Sequence, residues 1–173
     1  RDPVTTDFAE LGYCIVPASD PEVLDQLRTM ARDTCFELLG LPRDAVSDDV
    51  SDDLDHLHRH LPDADAAARL RLDLTRSLGE RTSVGRSVFA AFAHWIRPLV
   101  GNDVLSQRVA NVVLQPPGDP HPTVLHRDAP ANSPYEVIAW VPLVDCRATK
   151  SMYLLDRANS ATVLAFQIGR AHV

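Results

Sequence analysis

The sequence predicts an α+β fold in a single domain, with a helical layer over about residues 20–100 and a β-barrel over about residues 104–173. Two patterns predict it. Up to Val100, apolar residues recur three and four positions apart and polar capping residues punctuate the runs, the signature of helices with one buried face. From Val104 the pattern turns to alternation and short apolar runs rich in β-branched residues, separated by clusters of Pro, Gly, Asn and Asp. Strands and their connections read this way.

In chain order, Phe8 to Val16 predicts a short helical approach followed by a strand-like Tyr13-Cys14-Ile15-Val16, closed by Pro17. Ser19-Asp20-Pro21-Glu22 starts a helix, with a capping side chain, Pro in the first turn and an acid at the positive end of the dipole. Val23, Leu24, Leu27, Met30, Ala31 and Leu38 keep helical spacing until Gly40-Leu41-Pro42 stops it. Met30 and Cys35 are expected in the core. The acidic stretch from Asp44 to Asp65 holds His56, His58 and His60. Alternating His residues can bind metal, but the Asp and Leu pattern around them predicts a solvated helix, on which His56 and His60 share a face and His58 does not.

Pro62 to Leu78 predicts a further helix with Leu70, Leu74 and Leu78 in register and Gly79 as its stop. Thr82-Ser83 then caps a helix from Val84 to Pro98, whose stripe is Val88, Phe92, Trp95, Ile96 and Leu99. His94 lies beside that stripe as a packing or surface residue. Gln107 to Gln115 alternates as a strand with one wet face. Pro116-Pro117-Gly118-Asp119-Pro120 is a rigid turn, with His121 beyond it. Asn132 to Glu136 is a polar loop. Val137 to Val144 is an almost continuous apolar run, of the kind buried on both faces of a sheet. Ala161 to Val173 predicts a last strand that carries His172 near the mouth of the barrel.

Composition narrows the function classes. A chain of 173 residues can bury the core of one domain, and 45% hydrophobic with 24% charged residues sets disorder aside. The formal net charge of −7 opposes a nucleic-acid groove, which needs a basic face, and would suit a cationic substrate. Cys14, Cys35 and Cys146 are odd in number and lack metal spacing, so neither a disulfide framework nor a zinc site is expected, and a reducing cytoplasm is. No apolar run reaches the roughly 18–20 residues of a membrane span, and no signal-peptide pattern opens the chain. The expected partner is a small-molecule substrate, with no nucleic acid and no membrane. Nothing in the pattern fixes an oligomeric state.

One constellation looks like chemistry rather than packing. His126-Arg127-Asp128 is entered from Thr123-Val124-Leu125 and left through Ala129-Pro130. On an extended backbone side chains alternate, so His126 and Asp128 point the same way and Arg127 the other. An imidazole and a carboxylate converging on one point are two-thirds of the 2-His-1-carboxylate set that suits non-haem Fe(II). His172, on the predicted late strand, is the candidate third ligand.

With Phe8-X-X-X-Gly12-Tyr13, Asn111 to Leu114, His126-X-Asp128, Trp140-Val141-Pro142-Leu143-Val144-Asp145, Ser151-Met152 and His172 in this order, the chain resembles the phytanoyl-CoA dioxygenase-like branch of the Fe(II)/2-oxoglutarate-dependent oxygenases. The resemblance covers nearly the whole chain, loosely outside Asn111 to Tyr153. It implies a double-stranded β-helix, the jelly-roll or cupin-like barrel. It also implies iron held by His126, Asp128 and His172, with O2 as oxidant and 2-oxoglutarate decarboxylation coupled to oxidation of an unactivated C–H bond. By position, Gln115, Asn111 and Trp140 are its candidates for cosubstrate contact. The carboxylate of Asp128 favours hydroxylation, desaturation or ring formation over halogenation, since related halogenases leave that position to chloride.

The nearest flavour is the small bacterial enzymes of carbohydrate and specialised-metabolite biosynthesis, and an amino sugar or similar polar scaffold is the expected substrate. The family's basic anchor for the far carboxylate of 2-oxoglutarate follows its distal His, and no such residue follows His172. The chain opens at Arg1, and its connection from Tyr153-Leu154-Leu155 to Thr162-Val163-Leu164 is short for the family. The sequence is therefore expected to be part of a longer chain, with residues missing near 157–160 and after 173. The same ligands would also serve a cupin-type isomerase or hydrolase that uses Zn2+ or Mn2+ without 2-oxoglutarate. A barrel that binds a small molecule without catalysis is the remaining alternative.

Overall fold

Polar caps set the helices Pro21–Leu38, Ala64–Arg81 and Val84–Val100 close to where the sequence places them. In the computed structural model, which describes residues 3–42, 46–118, 126 and 136–170 (149 and 164–170 by backbone alone), α1 spans Pro3–Leu11 and α2 Pro21–Leu38. Asp20 caps α2 by accepting the Val23 N–H at 3.3 Å, and Pro21 opens its first turn. Gly40, at φ +64, closes it in the left-handed conformation that glycine adopts without a Cβ penalty. The acidic stretch forms α3, Val50–Asp55, capped by Asp49, and then one 3-10 turn, Leu57–His60. Asp63 caps α4, Ala64–Arg81, and Ser83 caps α5, Val84–Val100.

The core lies between α2, α4 and α5. Leu27, Cys35 and Phe36 of α2 meet Leu70, Leu74 and Leu78 of α4, with Leu57 and Val84 closing the cluster. Burying a leucine side chain contributes about 1.5–3 kcal/mol, so the three register leucines of α4 are its main hold on the domain. Leu38, expected in the stripe of α2, is instead exposed. The chain ahead of α2 is fastened to α5: the Ala91 carbonyl accepts from the Ser19 N–H and hydroxyl, both at 2.8 Å, and the Trp95 indole donates to the Pro17 carbonyl at 2.8 Å.

Beyond α5 the structure corrects the prediction. The described residues contain no β-strand, which overturns the double-stranded β-helix and the barrel. The alternation is real over Ala110 to Gln115, while Gln107 to Val109 are all exposed, and it serves a different packing. Ala110, Val112 and Leu114 turn inward onto the helical core, while Asn111, Val113 and Gln115 face outward. The segment is thus an extended strap laid across α4 and α5. Helices can bury one face of an extended segment as a sheet does, so period 2 reports a half-buried extended chain and not its partner.

Val137 to Val144 likewise forms no strand, and it is not buried on both faces: Ile138 is 55% and Trp140 46% exposed. Tyr13 to Val16 is not a strand either, and Ile15 is exposed. Of the predicted last strand, 171–173 lie outside the described residues, and the described residues 161–170 belong to helix α6, Arg157–Arg170. Asp156 caps it, accepting the Asn159 N–H at 2.7 Å, and the run contains more Ala, Leu, Gln and Arg than β-branched residues. One short 3-10 turn, Ala148–Lys150, precedes it. Among the described residues, no helix is long and apolar enough to cross a membrane.

Two glycines make room for the strap. Gly79, expected to stop α4, lies buried inside it, and a Cβ there would sit 2.9 Å from a Val109 methyl. At Gly85, in the first turn of α5, a Cβ would fall 1.9 Å from the Gln107 carbonyl oxygen. Gly85→Ala is expected to push the strap off α5 and cost about 1–3 kcal/mol, the usual range for overpacking. Urea denaturation checks this, and an unchanged midpoint would show that the strap does not rest on the helix.

Candidate functional site

The strap delivers the chain to the candidate site. Its outward row carries Asn111 and Gln115, both exposed, and ends in a turn at Pro117-Gly118, where Gly118 adopts φ +75. Four residues of extended backbone separate Asn111 from Gln115 by about 13 Å, so the two cannot hold the same carboxylate of a small cosubstrate. His126 lies beyond the turn and is exposed. Trp140 lies on the segment that resumes at Glu136, with nearly half its surface open. Asp128 and His172, like His121, fall outside the described residues.

The described part of the structure therefore places one member of the proposed triad and leaves its assembly untested. Among the described residues, no group of three or more His, Cys, Asp or Glu side chains could hold a metal ion. The strand that was to carry His172 to a barrel mouth is replaced by α6, so the topological ground for choosing that residue is gone.

The His tract is held by its own backbone. The His56 ring Nδ1 lies 3.1 Å from both the carbonyl and the carboxylate of Asp52, and His58 Nδ1 lies 3.0 Å from the Asp55 carbonyl. His60 sits edge-on to Phe36 at 6.3 Å. α3 ends at Asp55 with His56 as its cap, so no single α-helix carries all three His residues, and the His56 and His58 rings lie 6.2 Å apart. Triple substitution of His56, His58 and His60 by Ala is expected to leave bound iron unchanged, checked by metal analysis of purified protein. Loss of iron would move the metal site to this tract. His94 is exposed against Trp95, ring to ring at 4.5 Å, a surface role as expected.

Of the charge pairs that join segments distant in sequence, two fasten α3. Lys150, the chain's one lysine, grips both carboxylate oxygens of Asp55 at 2.7 and 2.8 Å and ties the segment before α6 to α3. These bonds hold the Asp55 carboxyl below its usual range. Arg32 and Asp53 form the second, more deeply enclosed pair between α2 and α3. Neither could be found by periodicity, because each joins residues far apart in sequence. Cys35 behaves as a core residue: it is fully buried, and burial pushes its thiol up to about 12, which leaves it no thiolate character near neutral pH.

The chain matches no family model, and no curated protein or solved structure is significantly similar to it.

Proposed function

We propose that this chain is a non-haem Fe(II)- and 2-oxoglutarate-dependent oxygenase that oxidises, most simply by hydroxylation, a C–H bond of a small polar metabolite in a reducing cytoplasm. The observation that carries this is the His126-X-Asp128 spacing, followed at a short distance by Trp140-Val141-Pro142-Leu143-Val144-Asp145. The donors alone support it, and no barrel is invoked. An imidazole and a carboxylate form the hard-to-borderline set that Fe(II) accepts while keeping positions open. The exposure of His126 is compatible with an ion and a cosubstrate arriving from solvent.

When bound, iron with 2-oxoglutarate and O2 would supply the oxidation, a division of labour general to cofactor enzymes. The chain's own residues would do the rest. His126 and Asp128 would hold the ion, with His172 as the candidate third donor. Gln115, Asn111 or Trp140 would orient the cosubstrate, with the first two acting at different points. The net charge of −7 serves solubility in the first place and would also suit a substrate that carries positive charge, such as an amino sugar.

An anaerobic absorbance titration with Fe(II) and 2-oxoglutarate tests the proposal. A visible metal-to-ligand charge-transfer band is expected in the unmodified protein and not in His126→Ala. Iron bound at His126 without that band would overturn the cosubstrate assignment and leave a metal enzyme of another class.

A further inference from the structure

We draw no further inference here: the strongest candidate, the exposed apolar side chains Val113, Ile138, Trp140 and Tyr153 on the segments between α5 and α6, carries nothing because nothing in the structure shows what covers them.

Discussion

Asp128→Ala is expected to lower iron affinity by more than about 100-fold and to abolish iron-dependent turnover. Removing groups that merely orient a ligand already costs about 10–100-fold in metal affinity or activity, and removal of a ligand exceeds that. The carboxylate is also the one anionic donor proposed for the ion, so its loss leaves a dication held by neutral imidazoles. Equilibrium dialysis against Fe(II), with thermal unfolding of the metal-free protein as a control, separates loss of a ligand from loss of the fold. The melting point is expected to stay put, because the core cluster is built from α2, α4, the 3-10 turn and the start of α5. Full iron binding and turnover in Asp128→Ala would end the proposed triad. The same dialysis on His172→Ala decides the third donor. Iron loss would keep His172 despite the helix that precedes it, and unchanged iron would remove it.

The helical half was legible because its signals are local. A cap, a proline and a repeat of three and four lie within one turn or two of the residues they govern. Asp20-Pro21, Ser83 and the Leu70-Leu74-Leu78 register all appear in the structure where the pattern places them. Gly79 was misread because glycine ends a helix only where a left-handed residue is needed. Here it is kept for its missing side chain, with Val109 packed against the gap.

The second half was misread for the opposite reason. Whether an extended run pairs with another strand depends on chain far away, which a window of ten residues does not contain. Ala110, Val112 and Leu114 show the consequence, since their alternation is correct and their partner is a set of helices. Ala161 to Val173 fails in a more local way. Val163 and Ile168 suggested a strand, while the cap at Asp156 and the helix formers between them carried the stronger signal. Of the candidate site, His126-X-Asp128 is legible as a spacing. His172, the candidate third ligand, lies outside the described residues, and what the structure overturns is the β-barrel that was expected to position it.

Asp53→Ala is expected to cost about 2–4 kcal/mol of stability, well beyond any exposed charge in the chain. The Arg32 side chain is 10% and the Asp53 side chain 8% exposed, with Nη1 of Arg32 3.4 Å from the carboxylate. Asp53 also accepts the Ser47 N–H, at 3.1 Å to its nearer oxygen, and so pins the entry to α3. Removing one partner of a buried pair leaves the other charge without compensation, at a cost of about 3–5 kcal/mol. Here that is moderated because Arg32 keeps its Nε bond to Asp33 at 2.8 Å and a bond to the Ser47 carbonyl. Asp33→Ala supplies the contrast. Its side chain is 54% exposed, so solvent replaces it for about 1 kcal/mol or less. Replacing both buried partners, Arg32→Met with Asp53→Ala, should recover part of the loss, since an apolar side chain of similar length needs no counter-charge. Urea denaturation of the unmodified protein, Asp53→Ala, Arg32→Met and the double variant gives the cycle, with Asp33→Ala measured beside it as the contrast. Equal losses for Asp53→Ala and Asp33→Ala would show that water reaches Arg32 and that α3 is not anchored to α2 through this pair.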